Sequence, residues 1–304
     1  MNKLSVQSFI ALILATHIGI MPAAAPSIGV ALANGNVTID DTRTPGNAPL
    51  FEGNTIETAK TSSRLQLQNG ASIQLATDSR GKVFSNHLIL EKGTTQFKTS
   101  KGFEVDALSL KISGNELNST VRVSVRGPVV QVASISGNVR VVTAKGIVVA
   151  NLMPGRALEF TPQDNPAGSS SMTGCLSKSG NTYMLTDETS NVTAELRGSG
   201  LDAHVGHRIT VTGSMMASGT PASGASQVVN VSDIKMLSMG CSTAPMGAGA
   251  GSGSGAGAGA AGMAGGHATA IIAGLVIAAA VGTTVGVVAT SGEAAPNQTV
   301  SPTR

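Results

Sequence analysis

The sequence has few aromatic residues and few charges, and both shortages limit what it can do. Tryptophan is absent, tyrosine occurs once, and charged residues make up only 12% of the chain. A core must therefore be built from Val, Ile and Leu, and a surface for stacking on sugar rings would be thin. The net charge of +3 comes without a Lys/Arg cluster, so the electrostatic signature of nucleic-acid binding is missing. We expect no nucleic-acid partner.

The sequence also lacks the motifs of common hydrolases. A Gly-x-Ser-x-Gly string occurs at residues 251–255, but it lies in a low-complexity stretch and not between a buried strand and a helix, where a serine nucleophile belongs. No paired carboxylates accompany an aromatic platform. We therefore expect a protein that is not an enzyme and needs no cofactor.

His204 and His207 form a His-x-x-His pair, which is a weak candidate for a metal site. Gly200 and Gly206 flank the pair and an apolar strand pattern begins at Ile209, so the context predicts a loop that enters a strand. Zinc sites need three or four ligands, and no third candidate is identifiable. We expect two solvated loop histidines and no metal.

The first 33 residues carry the pattern of a secretory signal peptide. A short basic start precedes an apolar run at residues 9–15, and Ala31-Leu32-Ala33 supplies the small residues that a signal peptidase requires. The triplet Ala23-Ala24-Ala25 is a rival site. We expect an exported chain whose mature form begins near Asn34.

Residues 268–290 carry no charge and reach the ~20 residues that a membrane-spanning helix needs. Gly274, Ala278, Gly282 and Gly286 recur at every fourth residue and would form one stripe of small residues on such a helix. Stripes of this kind let helices approach closely in lipid. We expect a single membrane span, with homodimerisation through the stripe as a hypothesis and a monomeric anchor as the alternative.

Two low-complexity segments divide the rest of the chain. Residues 243–267 are almost entirely Gly, Ala and Ser, which predicts a flexible linker, and a short tail follows the expected span at residues 291–304. Residues 161–171 hold two prolines among polar and small residues, which predicts a second linker. The chain therefore divides into one unit at residues 34–160 and a smaller one at residues 172–242.

The first unit consists of short alternating segments separated by Gly and Asn. In residues 64–75, apolar residues at alternate positions flank Asn69-Gly70, which is the strongest short hairpin signal. Further turn signals include Lys92-Gly93 and Gly137-Asn138. This spacing predicts an all-β sandwich, barrel or short solenoid.

The second unit offers five short strand candidates, which suggests a small barrel of the oligonucleotide/oligosaccharide-binding (OB) shape. Cys175 and Cys241 are the two cysteines of the chain, and they bracket this unit. In an oxidising compartment we expect them to form a disulfide, with two buried thiols as the alternative.

Several motifs of the first unit form a recognisable set: residues 50–58, 65–75 and 90–93, then Val139-Arg140-Val141 and residues 152–155. With them, the stretch from Leu50 to about Phe160 resembles the FecR-like extracytoplasmic domain. The resemblance implies a β-fold, a bacterial envelope location with the body in the periplasm and the anchor in the inner membrane, and a non-enzymatic role. It brings no catalytic residue. The second unit looks more weakly like small OB-like modules of secreted bacterial proteins.

The arrangement of the chain decides between the functions that the resemblance implies. Founding members of that family relay signals to an anti-sigma partner or a sigma factor and carry a cytoplasmic region before their span. Here the expected leader comes first and the span last. We therefore interpret the chain as a binding or scaffolding module for an envelope protein or a glycan. A signal-relay subunit is the alternative, and an envelope hydrolase is a third that the missing motifs disfavour.

Overall fold

In the computed structural model, the chain is built almost entirely of β-strands. The structure describes residues 25–33, 35–100, 102–162, 169–216, 219–241, 269–272 and 275–279. These residues form 23 strands and one 3₁₀ turn at Leu201–His204. The expected mainly β fold is confirmed.

The first unit contains sixteen strands. They are β1 Gly29–Ala33, β2 Asn36–Ile39, β3 Thr42–Pro45, β4 Ala48–Leu50, β5 Thr55–Thr58, β6 Ser63–Leu67, β7 Ser72–Leu75, β8 Arg80–Val83, β9 His87–Lys98, β10 Glu104–Ala107, β11 Leu110–Gly114, β12 Thr120–Arg126, β13 Val129–Ser136, β14 Val139–Thr143, β15 Val148–Leu152 and β16 Ala157–Pro162. Buried and accessible residues alternate along most of them, because successive side chains of a strand point to opposite faces.

These strands form two sheets that share β9. Sheet A has the order β4-β1-β6-β7-β9-β12-β13-β16. Sheet B has the order β3-β2-β5-β8-β9-β10-β11-β14-β15. The buried sides of both sheets contribute to one apolar core, in which Phe97, Phe103 and Phe160 are the largest fully buried side chains. The first unit is therefore a β-sandwich.

Strand β9 passes from sheet B to sheet A at Gly93. Residues before this point pair with β8 and β10, and residues after it pair with β7 and β12. Gly93 has a φ of +89°, and a Cβ atom there would lie 2.5 Å from the Cα of Ser79, so only glycine fits. The expected turn at Lys92-Gly93 is instead a bend within one continuous strand.

The hairpin expected around Asn69-Gly70 is confirmed. It joins β6 to β7, which pair from Ser63↔Leu75 to Gln66↔Ser72. Gly70 has a φ of +86°, and the main-chain N–H of Ala71 donates to Oδ1 of Asn69 at 2.9 Å. Because Asn-Gly suits a tight turn, the local sequence was enough to locate it.

The second unit is a closed five-stranded barrel. Its strands are β17 Ser169–Ser179, β18 Thr182–Asp187, β19 Thr193–Arg197, β20 Arg208–Met215 and β21 Gln227–Ser238. The order β17-β18-β19-β21-β20 closes because β20 also pairs with β17. This confirms the expected small barrel, and β16 and β17 shorten the expected linker to residues 163–168, which lie outside the described residues.

Part of the segment expected to be a membrane helix is a β-hairpin. Strands β22 Thr269–Ile272 and β23 Leu275–Ala279 pair with each other, and β23 also pairs with β16. The expectation of a helix is therefore wrong for these residues, and no helix of the described part is long and apolar enough to cross a bilayer. An uncharged apolar run suits a buried hairpin as well as a membrane, which explains the error.

Only Ala278 of the expected helical stripe lies among the described residues, and it is in a strand instead of a helix. Ala278 lies in β23, opposite Glu159 of β16 and Thr269 of β22. Gly274, Gly282 and Gly286 lie outside the described residues, as do residues 280–290.

The end of the expected signal peptide belongs to sheet A. Strand β1 lies between β4 and β6, and its Ala31 is only 1% exposed. A mature chain that begins near Asn34 would lack this strand, so that boundary conflicts with the fold. Small residues suit a peptidase site and a tightly packed strand equally, which made the two indistinguishable in the sequence.

Candidate functional site

The outward side of sheet A carries two rows of polar side chains across β6, β7, β9 and β12. The first row is Arg64, Gln74, Gln96 and Arg122, and the second is Gln66, Ser72, Lys98 and Thr120. We call these eight residues the cationic face. Since adjacent strands lie about 4.8 Å apart, the first row spans roughly 14 Å.

The alternation of the strands turns these side chains outward. The intervening residues Leu65, Ile73, Phe97 and Val121 are at most 1% exposed and belong to the core. The cationic face is therefore supported from below by the packed sandwich. A face on paired strands of this kind is more rigid than a site built on loops.

An open groove of about 190 Å³ runs along the cationic face. It is lined by Arg64, Ser72, Gln74, Gln96, Phe97, Lys98 and Thr120. Nη2 of Arg122 donates to Oε1 of Gln96 at 3.1 Å, which leaves the amide NH₂ of Gln96 as a donor toward the groove. The lining therefore offers hydrogen bonds and positive charge to a ligand rich in oxygen.

The two sheets of the sandwich differ in how their charges are arranged. The strand residues of sheet A include the bases Arg64, Lys98, Arg122 and Arg126 but a single acid, Glu159. Within the described part of the chain, neither Arg64 nor Lys98 makes an ion pair. Arg64 and Lys98 therefore give this side of the molecule a positive electrostatic potential.

Sheet B instead neutralises many of its charges locally, although Lys82 and Arg140 make no ion pair within the described residues. Arg80 contacts both Glu57 and Glu91, at 3.3 and 3.0 Å, and Nζ of Lys92 lies 3.3 Å from Glu57. Lys111 donates to Glu104 at 2.9 Å, which raises the pKa of the lysine. Ion pairs thus cover part of the surface of sheet B, whereas Arg64 and Lys98 of the cationic face make none within the described residues.

The cationic face offers no aromatic ring to a ligand. Both phenylalanines in the strands of sheet A, Phe97 and Phe160, are at most 1% exposed. The single tyrosine, Tyr183, lies on the barrel, where Nζ of Lys178 is 4.9 Å from its ring centroid. Neutral sugars and nucleobases bind largely by stacking on aromatic rings. A ligand of this face must therefore be held by charge and hydrogen bonds.

The face at which OB-like barrels bind their ligands is only partly covered here, since Thr186 and Arg197 remain exposed. That face is formed by the second and third strands of such barrels, which correspond to β18 and β19. Ala222 covers part of it, since its N–H donates to Oε2 of Glu195 at 2.8 Å. The N–H of Ser226 donates to the carbonyl of Thr193 at 2.8 Å and so extends the pairing of β19 with β21. Glu195 is consequently only 8% exposed.

A smaller cleft of about 20 Å³ lies at the junction of the two units, lined in part by Asn151, Arg156 and Asn191. The loop beside it is held by Asp187, whose carboxylate accepts hydrogen bonds from the N–H groups of Thr173 and Ser190 and from the hydroxyl of Ser190. Burial raises the pKa of Asp187, and these hydrogen bonds oppose that shift. The cleft is a well-anchored junction with little room for a ligand.

The structure brings the two cysteines together as expected. Cys175 in β17 and Cys241, just past β21, form a disulfide whose Cα atoms are 5.7 Å apart. It ties the first strand of the barrel to the residue that follows its last strand. The expected pairing is confirmed.

The two histidines lie at the end of the 3₁₀ turn and just after it. The N–H of His207 donates to the carbonyl of His204 at 3.0 Å, and Nδ1 of His207 accepts from the N–H of Gly240 at 3.0 Å. Among the described residues, no group of three His, Cys, Asp or Glu side chains is placed to hold a metal ion. His207 therefore helps to position the chain beside the disulfide.

No family model matches the chain, and no curated protein matches it. Two crystal structures of a "putative anti-sigma factor" from Parabacteroides distasonis are similar to it at 15% identity and a TM-score of 0.32. The matches cover 37% of this chain and 57% and 56% of those chains. A likeness at this level carries no argument about function.

The sequence alone did not single out the cationic face. Arg64, Gln66 and Gln74 could be placed on the polar side of the predicted hairpin. Lys98 and Arg122 join them only because β9 and β12 pair beside β7, and such non-local pairing leaves no trace in a local pattern. The detectable signal was the shortage of acids on the strands that carry these bases.

Proposed function

We propose that this chain is an exported, non-enzymatic protein of the bacterial envelope whose cationic face binds an acidic polysaccharide. The observation that carries the proposal is the pair of bases, Arg64 and Lys98, which make no ion pair within the described residues on a rigid, groove-bearing sheet. Carboxylates of the polymer would meet these bases and Arg122. Hydroxyl groups would meet the amides of Gln74 and Gln96.

The chemistry of the face favours an acidic glycan over other polymers. With no exposed aromatic ring on these strands, single-stranded nucleic acids and neutral glycans lack the stacking that normally holds them. The roughly 14 Å row across four strands suits a linear chain with acidic groups along its length. Export would follow from a leader that ends before Ile28, since Ile28 and Ala31 are buried in the sandwich.

Relay of a signal through a membrane span is not part of the proposal. The segment that would supply the span begins in a hairpin paired with β16. A binding role needs only the described units.

Titration calorimetry of the full chain with polygalacturonate and with neutral dextran tests this function. Binding to polygalacturonate that weakens as salt is added, with no binding to dextran, is the expected result, because exposed charge contacts are screened by salt. Equal binding to both polymers, or binding to neither, would refute the proposal. Release of new reducing ends during the titration would refute its non-enzymatic part.

A further inference from the structure

The outer half of β21 is a strand edge that meets a neighbour on one side only. Strand β21 pairs with β19 as far as Arg197↔Asn230, and its residues 231–238 pair with β20 alone. No other main-chain hydrogen bond joins these residues to the described part of the chain. We call residues 231–238 the β21 edge, and its outer side offers unpaired N–H and C=O groups to a further strand.

The β21 edge lacks a protection that the outer strands of the sandwich have. Strands β3 and β4 contain Pro45 and Pro49, and proline cannot donate a main-chain hydrogen bond to a neighbouring strand. The β21 edge contains no proline, and its Met236 and Leu237 are 44% and 41% exposed. Large apolar side chains on an accessible edge favour pairing with a further strand.

The charges of the β21 edge are complementary to those of a second copy in one register. Asp233 and Lys235 lie two positions apart and point to the same side of the sheet. Both are exposed, and neither makes an ion pair within the described residues. If two edges pair antiparallel about Ile234, Asp233 of each copy lies opposite Lys235 of the other. Pairing centred on Asp233 or on Lys235 would instead place like charges opposite each other, which is unfavourable.

We propose that two copies of this chain associate reversibly through antiparallel pairing of their β21 edges about Ile234. The same surface is used by both copies, so the contact closes on itself as a two-fold symmetric dimer. Two Asp233–Lys235 pairs then flank the two-fold axis. Because one strand edge from each copy is smaller than the interface of about 1,600 Å² that a stable complex buries, dimers should form only at high protein concentration. The inference does not depend on polysaccharide binding.

Charge exchange between positions 233 and 235 tests both the association and its register. D233K places a lysine opposite Lys235, and K235D places an aspartate opposite Asp233, so either change should weaken the dimer about tenfold in sedimentation equilibrium. The double variant D233K/K235D restores opposite charges at the parent's net charge and should dimerise about as strongly as the parent. Since both positions are exposed, the fold should tolerate these changes.

An equimolar mixture of D233K and K235D tests the contact between copies, because two lysines of one copy then face two aspartates of the other. We expect heterodimers in native mass spectrometry at concentrations where each variant alone is monomeric. K145D, at an exposed loop position, is the control of matched charge and should form fewer heterodimers with D233K than K235D does.

The proposal is wrong if the parent stays monomeric up to about 1 mM, or if the single variants dimerise as strongly as the parent. It is equally wrong if D233K/K235D remains monomeric where the parent dimerises. Equal heterodimer yields with K145D and K235D would show that net charge drives the association, and this result would also overturn the proposed register.

Discussion

The main-chain N–H of Asn151, in β15 of the sandwich, donates a hydrogen bond of 2.7 Å to the carbonyl of Ser190 in the barrel. Ser190 is in turn held by Asp187, which accepts from both its N–H and its hydroxyl. One buried carboxylate therefore fixes the loop that makes this contact between the two units. These hydrogen bonds link the loop at Asp187–Ser190 of the barrel to strand β15 of the sandwich.

Replacing Asp187 with Ala should destabilise the barrel strongly. The change leaves the N–H groups of Thr173, Thr189 and Ser190 without their acceptor in a region where Asp187 itself is 1% exposed. Buried donors without partners are costly, so we expect the free energy of unfolding to fall by on the order of 3 kcal/mol in urea titrations. The exposed Asp233→Ala is the control and should change it by less than about 0.5 kcal/mol. Similar losses in both variants would contradict this role.

Glu195 should make the stability of the barrel depend on pH in the acid range. Its hydrogen bonds with Arg197, first, and with the N–H of Ala222 hold its pKa below the ordinary value of 4.5. A lowered pKa stabilises the fold above the unfolded value, and this contribution is lost as the pH falls through the folded value. The parent should therefore be more stable than E195Q at neutral pH, and the difference should disappear in acid.

Thermal unfolding of the parent, E195Q and R197Q across pH 7 to about 2 would measure this effect. Because Arg197 is the main cause of the lowered pKa, R197Q should lose most of the same pH-dependent part. A parent and an E195Q variant whose difference is constant with pH would show that Glu195 does not titrate in this way.

The position of β1 predicts where the chain can be shortened. A chain that begins at Ala25 keeps β1, whereas one that begins at Asn34 loses it together with the buried side chains of Ile28 and Ala31. We expect the shorter chain to be less stable by on the order of 3 kcal/mol, because core side chains and pairing with both β4 and β6 are removed. Urea unfolding of the two chains measures the difference. Equal midpoints would mean that β1 contributes nothing.

Short sequence motifs correctly predicted the features that depend on neighbouring residues. Asn69-Gly70 was enough to locate the hairpin of β6 and β7, and the two cysteines bracketed the barrel whose two ends they join. Gly93 was ambiguous, because a glycine with positive φ can end a strand or bend it, and only the close approach of Ser79 decides.

Sequence patterns that fit two different structural environments led to wrong expectations. The small residues at positions 31 and 33 suit a peptidase and also a crowded strand, and an uncharged run suits a bilayer and also the buried hairpin of β22 and β23. The cationic face was missed for another reason. Its two rows arise when strands distant in sequence pair side by side, which alternation within one strand does not encode.

The most direct test of the cationic face compares two double variants that remove the same charge from opposite sides of the sandwich. R64Q/K98Q changes the cationic face, and K82Q/R140Q changes exposed bases of sheet B that make no ion pair within the described residues. Both lower the net charge by the same amount, so a general electrostatic effect would weaken polygalacturonate binding equally. Loss of two exposed charge contacts should weaken binding about fivefold to tenfold for R64Q/K98Q alone, with a smaller salt dependence. Equal weakening in both variants, or no change in R64Q/K98Q, would contradict the proposed site.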